Sequence, residues 1–592
     1  MNKKQKRKAG KSPEKSFSNP FLTTHNLPPN ALSYALSLHR GGQLAQAELM
    51  YEQILQVESK NPKALNGLGL LKSQKGDYKG AIALLSAAAK AEPNNVGYLN
   101  NLGNTYRSIN QFDEAIKCYQ NALKVDDKYA DTYFNLGVAF TEKEMVENAI
   151  ASFKKAVNAN PQHPRAHVAL GHLLRGIGLL DEAISSYQLG LSVVPNFWEA
   201  ITSLGMTLYQ KGDLKGAQSV YERALQINPY STECLSNIGA VFYEQGRIDV
   251  ALACYQEVVK LDSNSPDAYI NLGFILSQKG QDDEAIGCYN MALKKQPTSL
   301  KAMAGLGDVF AKQSKWQEAI KVYQNILKID SNSAKSRVNL GIGLRECGDL
   351  EEAIAQFEQA CEINSRSVKA YAHLGLALQD KERIDDASII FDYGRLVARY
   401  QLDKPAGWEN LSDYNAALKD YIYNHPTLLK DRVGKPLNKG QQTYEIFTDN
   451  SLVITTLQEI INVRLREYLK NCAANSQTGF FAKIPSDWTL SGWAVVLEPE
   501  GFQNSHIHPE SFVSGVYYVQ IPDSVKQNSD GEGCLNFGNL FPKLTEKEKI
   551  EKYTVKPEEG LLVMFPSYFW HSTIPFQGNS DRVCISFNVI PT

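Results

Sequence analysis

The sequence predicts an α-solenoid of about eleven helix pairs followed by a double-stranded β-helix, or jelly roll, with helices at its entry. Three observations carry that prediction. Glycine and alanine recur every thirty-four residues over most of the chain, the recurrence stops near residue 401, and from 488 onward the texture changes to short strands. The expected boundaries are a basic tail at 1–27, repeats at 28–401, and a helix-led jelly roll at 402–592.

The ruler is regular. Leu/Ile-Gly pairs place glycine at 69, 103, 137, 171, 205, 239, 273, 307, 341 and 375, and Ala35 fits the frame one step earlier. Twelve residues past each position stands an alanine, from Ala47 to Ala387. Four further on comes an aromatic residue, as in Tyr51, Tyr119, Phe153 and Phe391, with Leu85 the one exception. Small residues on both helices of a pair let their axes approach closely. The aromatic lies one turn beyond the alanine on the same helix face and is expected to pack into the next unit. Turns such as "QKGD" and "EQGR" separate the helices, and prolines at 93, 161, 195, 229 and 297 close several repeats. One such unit cannot bury its apolar face alone, whereas a stack can.

This pattern resembles the tetratricopeptide repeat, and the resemblance covers roughly residues 28 to 401. It implies a right-handed superhelix with a concave groove, and hence a polypeptide partner. The residue before the Leu/Ile-Gly pair belongs on the inward face, and in five repeats it is asparagine: Asn101, Asn135, Asn237, Asn271 and Asn339. A carboxamide carries donor and acceptor together, so it can pair with a peptide backbone of any sequence. The ladder is similar to that of O-linked N-acetylglucosamine transferase superhelices. At about 1 kcal/mol per net hydrogen bond, five bonds would give roughly 5 kcal/mol, between millimolar and micromolar binding. The competing reading is that these asparagines tie neighbouring repeats together; Gly67, Ala169, Ser203, Gly305 and His373 interrupt the ladder.

Beyond 401, "GWENLSDYNAALKDYIYNH" and "SLVITTLQEIINVRLREYLKNCA" show apolar spacing at three and four and read as helices. Eight strand-like stretches follow: "TLSGWAVVLE", "SHIHP", "VSGVYYVQIP", "GCLNFGN", "KYTVKP", "GLLVMFPS", "HSTIPF" and "RVCISFNVI". Side chains two apart on a strand point the same way, so His506 and His508 would share a face. A third ligand must come from elsewhere, and His571 opens a later strand. Arg582 stands eleven residues on, across the turn "QGNSD". Adjacent ligands, a distant histidine and a following arginine form the pattern of a non-haem Fe(II), 2-oxoglutarate-dependent oxygenase.

Residues 436–592 resemble a bacterial and phage group of 2-oxoglutarate/Fe(II) oxygenases through "GQQTYEIF", "GFQNSHIHPESFVSGVYYVQIP", "GLLVMFPSYFWHSTIPF" and "RVCISFNVIP". The resemblance implies Fe(II), 2-oxoglutarate and O2, with oxidative decarboxylation to succinate coupled to attack on a substrate. Its HxD/HxE motif can be laid down in two ways. One takes His508 and Glu510 with His571. The other takes His506, His508 and His571, with Glu510 behind them or as a replacement ligand; Pro509, which interrupts the strand, tilts the choice to this one. The resemblance assigns Arg582 to the distal carboxylate of 2-oxoglutarate, where a guanidinium fork suits a carboxylate. Cys584 stands where related enzymes often have serine. One of Tyr517 and Tyr518 faces the cavity; alternation alone does not say which, and Tyr518 is taken as the cofactor-facing one.

Composition narrows the alternatives. With 62 Lys+Arg against 64 Asp+Glu, the global charge argues for neither nucleic acid nor an anionic membrane. No stretch approaches eighteen consecutive apolar residues. The tail "MNKKQKRKAGKSPEKSFSNP" is basic but leads into no apolar region, so it reads as a solvated tail and not a secretory signal. Nine cysteines without a CxxC pair suit a reducing compartment, and the expected location is cytoplasmic. A glycosyltransferase is rejected because the region after 401 is too short and mostly β. A cupin is rejected because Phe512 and Val513 stand where it would place its glutamate. Two readings remain: an oxygenase hydroxylating a polypeptide captured in the groove, and a peptide-binding scaffold with a degenerate oxygenase domain.

Overall fold

The computed structural model describes residues 27, 30–430, 437–528, 531–538 and 553–592. The basic tail, apart from Leu27, lies outside the described residues. The chain divides into two compact units, Met1–Leu261 and Asp262–Thr592, so one boundary falls inside the repeats.

The first unit holds seven helix pairs, from Ala31–Arg40 with Leu44–Val57 to Thr232–Glu244 with Ile248–Leu261. Their chemistry follows the ruler. Ala47, Ala81, Ala115, Ala149, Ala183, Ala217 and Ala251 are fully buried. The aromatic does more than meet the next unit. It lies first on the glycine of its own pair: a Cβ at Gly103 would stand 2.6 Å from Tyr119, and one at Gly137 2.7 Å from Phe153. Leu85 fills the same place over Gly69. Tyr51 also reaches the following repeat, where a Cβ at Gly67 would lie 2.5 Å from its ring. The glycines are therefore the sockets of the aromatic plugs.

The turn inside each pair has its own requirement. Gly76 and Gly246 adopt φ of +83° and +75°, in the left-handed region that costs glycine nothing. Asn110 and Glu144 take the same conformation at equivalent positions thirty-four residues apart, with φ of 59° and 58°. The five closing prolines lie in the turns between pairs.

The second unit begins with four more pairs, Pro266–Gln278 with Asp282–Lys295 through Val368–Asp380 with Ile384–Ile390. The C-terminal domain follows without a break in the apolar core, which runs from Ala319 to Val589. Tyr371 of the last repeat packs on Phe480 and Tyr568 with ring centroids 5.4 Å away in each case. The Tyr568 hydroxyl donates to Ile390 O at 3.1 Å, and Tyr468 donates to Leu396 O at 2.9 Å.

Among the described residues ten strands follow in chain order: β1 (Ala398–Gln401), β2 (Leu429–Lys430), β3 (Leu437–Gln442), β4 (Trp488–Gln503), β5 (Val513–Gln520), β6 (Leu535–Phe537), β7 (Tyr553–Val555), β8 (Leu561–Pro566), β9 (His571–Thr573) and β10 (Arg582–Pro591). They form a seven-stranded antiparallel sheet, β1-β8-β5-β10-β4-β3-β2, and a three-stranded one, β7-β6-β9. Helices Leu411–Tyr423 and Leu452–Asn475 match the two helical stretches read from the sequence. β1, β2 and β3 were not expected. The predicted strand "SHIHP" is reduced to a single bridge between His506 and His571. Among the described residues no helix is long and apolar enough to cross a membrane, and the cysteines are free.

Candidate metal centre and anion pocket

Two stretches of irregular backbone are stapled together to build the site. His506 N–H donates to His571 O at 3.0 Å and His571 N–H returns a bond to His506 O at 3.1 Å. His508 N–H donates to Ser567 O at 3.3 Å. These bonds bring the three imidazoles together, with ring centroids 4.3 Å apart for His506 and His571, 5.0 Å for His506 and His508, and 5.2 Å for His508 and His571. One ligand atom of each lies within 4.8 Å of the others.

Two of the rings are already oriented for a metal. His506 Nδ1 is 2.7 Å from Asn504 O and His571 Nδ1 is 2.9 Å from Phe569 O. A carbonyl can only accept, so each Nδ1 carries the proton and each Nε2 keeps its lone pair toward the cluster. Burial lowers the pKa of His506, and it holds that of His571 well below the usual value, helped there by repulsion from His506 and His508. Neutral imidazoles in this arrangement suit a divalent cation.

Glu510 does not join them. It is exposed in the turn that follows Pro509, where Ser511 N–H closes back onto His508 O at 3.0 Å. The chain has already turned away from the cluster by that point. The set that the structure brings together is therefore all histidine, and the HxE layout with Glu510 is not formed.

The cluster opens into a narrow cavity lined by β4, β5, β6, β8, β9 and β10. Arg582, Cys584 and Ser586 face it from alternate positions of β10, and Ser514, Val516 and Tyr518 from β5. Tyr518 is thus the cavity tyrosine. Tyr517 points to the other face, donating its hydroxyl to Asn415 at 2.7 Å. Trp493, Phe565, Leu535 and Phe587 supply apolar wall, and Gly515 leaves the space that the Phe587 ring fills.

Arg582 is the unusual residue. It is 2 % exposed, and its Nε and Nη1 have no hydrogen-bond partner among the described residues. Its guanidinium stands 5.1 Å from the Tyr518 ring centroid, and the Tyr518 hydroxyl is likewise buried without a partner. Burial pushes the Tyr518 phenol up to about 12, with Arg582 pulling the other way. No carboxylate lines the cavity among the described residues. An always-protonated guanidinium buried without a counter-ion is costly, and an anionic ligand is what would relieve it.

The repeat asparagines lie elsewhere, and three of the five are bonded within the repeats. Asn101 Nδ2 donates to Asn66 Oδ1 at 2.9 Å, Asn135 to Asn100 at 3.3 Å, and Asn339 to Asp308 at 3.2 Å. Each of these bonds joins neighbouring repeats. Asn237 and Asn271 are half-buried in their helices. Sequence reading passed over Gln503, Ser514 and Asn588, and it takes Trp493 for core, where the structure sets it in the cavity wall. The period-two pattern Arg582, Cys584, Ser586, Asn588 was the available signal for Asn588.

Comparison with known proteins agrees with this division. Residues 491–588 match the family described as "Putative 2OG-Fe(II) oxygenase". Tetratricopeptide-repeat families match at 38–102, 103–144, 130–163, 205–246, 239–280, 266–299, 302–334 and 344–381. No curated protein matches the chain. Among solved structures, MamA is 32% identical, with 27% of this chain and 93% of that one covered and a TM-score of 0.26. YrrB, described as a TPR protein with an unusual peptide-binding site, is 23% identical over 30% of this chain and 92% of its own, at 0.29. Yeast Tom70 is 14% identical over 62% and 91%, at 0.34.

Proposed function

The chain is a tetratricopeptide-repeat protein that ends in a 2OG-Fe(II) oxygenase domain, and from that premise we propose that it hydroxylates a polypeptide held along its repeats, using Fe(II), 2-oxoglutarate and O2. The observation that carries this reading is Arg582, buried with two unpartnered nitrogens in the cavity that the three histidines share.

His506, His508 and His571 would hold the metal, and Arg582 would take the distal carboxylate of 2-oxoglutarate through its fork of N–H donors. The Tyr518 hydroxyl offers a further hydrogen bond beside it. When bound, iron and 2-oxoglutarate supply the redox chemistry: with O2, decarboxylation to succinate and CO2 is coupled to insertion of one oxygen atom into a substrate C–H bond. The protein's part is orientation and exclusion. Trp493, Leu535, Phe565 and Phe587 keep bulk water from the reacting centre. Delivery of a polypeptide is supported by the last repeat, whose ladder residue His373 lies edge-on to Trp570 at 6.0 Å, next in sequence to His571.

An alternative is favoured by one fact, the exclusion of Glu510 from the cluster: a peptide-binding scaffold whose oxygenase domain no longer turns over. Anaerobic titration with Fe(II) and 2-oxoglutarate separates the two at the first step. The enzyme reading expects a weak visible charge-transfer band, lost in His571→Ala. It also expects 2-oxoglutarate-dependent gain of one oxygen atom by some member of a synthetic peptide library. A chelate band without any 2-oxoglutarate-dependent O2 uptake would favour the scaffold, and no band at all would sink the cofactor assignment.

A further inference from the structure

We propose that Asn588 is a positioning residue for the metal centre, setting which ring nitrogen of His508 carries the proton. This rests on the metal-centre reading above and concerns the one imidazole of the three whose Nδ1 stands beside a side-chain carboxamide.

The geometry distinguishes His508 from its neighbours. Asn504 O and Phe569 O can only accept, so they leave His506 and His571 no choice of tautomer. At His508 the group facing Nδ1 is the Asn588 carboxamide, 3.4 Å away through Nδ2. A carboxamide has a donor end and an acceptor end. With its NH₂ toward the ring, Nδ1 must accept, the proton moves to Nε2, and that nitrogen has no lone pair for a metal. With its oxygen toward the ring, Nδ1–H donates and Nε2 becomes a ligand, as in the other two histidines. Asn588 does not line the cavity whereas His508 does, so Nδ1 looks away from the cluster and Nε2 is the nitrogen at stake.

The surroundings of Asn588 permit either orientation. Ser514 Oγ lies 2.9 Å from Asn588 Oδ1 and 2.8 Å from Ser567 Oγ. Ser514 is 1 % exposed and Ser567 fully buried. Hydroxyls donate or accept by rotating, so the serine pair can follow the amide when it turns. A buried apolar neighbour at this place would supply no hydrogen bond to Nδ1, and a carboxylate would hold the ring as a ligand. The chain instead carries an amide that must turn for the third ligand to form. β10 thereby serves both halves of the site, with Arg582 at one end and Asn588 six residues along the same face.

The test uses the full chain and Co(II) as probe, read by visible absorption and by calorimetric affinity, with the fold checked by circular dichroism. Groups that orient a metal-bound histidine are worth about 10- to 100-fold in metal affinity. Asn588→Leu should therefore weaken Co(II) binding about 10- to 100-fold and alter the ligand-field bands. Asn588→Asp, which can only accept, should restore or exceed wild-type affinity. Equal affinity and identical bands for Asn588→Leu and wild type would overturn the proposal while leaving the metal centre intact. Weakening by both variants would also overturn it, marking a role in packing. Failure of wild type to bind Co(II), with His571→Ala no different, would remove the metal-centre reading and this proposal with it.

Discussion

Asn101, Asn135 and Asn339 each give a carboxamide N–H to the neighbouring repeat, whereas Arg582 and Tyr518 keep buried polar atoms with no partner among the described residues. Both regions were read as binding surfaces, yet they are prepared differently. A ligand in the ladder meets side chains already engaged, so each new bond replaces or shares an old one and the net gain is small. A ligand in the cavity meets a desolvation cost that folding has already incurred, so its anion gains nearly the whole of the interaction. Under the proposed function, this difference would give weak, sequence-tolerant capture along the repeats and firm, charge-selective binding in the cavity.

The sharpest way to break this comparison is Arg582→Met. Losing one partner of a buried charge pair costs about 2–5 kcal/mol, so 2-oxoglutarate binding should weaken at least about 30-fold in an Fe(II)-loaded titration. The same variant should melt at an equal or higher temperature without ligand, because an unpaired buried charge has gone. Unchanged 2-oxoglutarate affinity together with a lower melting temperature would mean that Arg582 is paired by the protein and is no anion site.

Next in size is the plug-and-socket packing of the repeats. A Cβ at Gly341 would stand 2.7 Å from Phe357. Gly341→Ala should lower stability by about 1–3 kcal/mol in urea unfolding while leaving cavity binding untouched. A neutral result would show that the aromatic can slide aside.

His373 tests the join between the last repeat and the C-terminal domain. Burial, with Arg345 and Lys369 nearby, lowers its pKa from 6.5 to about 3. The unfolded chain takes the proton first, so this contribution to stability is complete above 6.5 and is lost as pH falls toward about 3. His373→Leu should flatten the acid side of the melting-temperature profile, by up to about 1.4 kcal/mol per pH unit. An unchanged slope would mean that the imidazole is hydrated.

The smallest effect is expected from Asn339→Ala. It removes a tie to Asp308 and should cost about 0.5–1.5 kcal/mol. Loss of polypeptide binding with no loss of stability would instead restore the ladder to a purely ligand-facing role.

Much of this was legible in the sequence because the repeats are local objects. A thirty-four-residue period states where each glycine meets each aromatic, and the pairs form wherever the period runs. The longer strands β4, β5, β8 and β10 announced themselves by β-branched and aromatic runs. β1 and β2 did not, being four and two residues long at the two edges of the sheet, where half the burial signal is missing. β3, "LNKGQQ", is polar and glycine-broken for a related reason: it covers β4 from near the edge.

The site divides along the same line. The sequence by itself determined the residue types, their spacing, and the alternation that puts Arg582, Cys584, Ser586 and Asn588 on one face of a strand. Tertiary structure alone decided that Glu510 turns outward, that Tyr518 and not Tyr517 meets the cavity, and that His508 faces an amide where His506 and His571 face carbonyls. The reason is physical. Side-chain direction within a strand is a property of the local backbone, but which groups meet across the cavity depends on the bridge between His506 and His571, sixty-five residues apart, and on the sheet register that aligns β5 with β10.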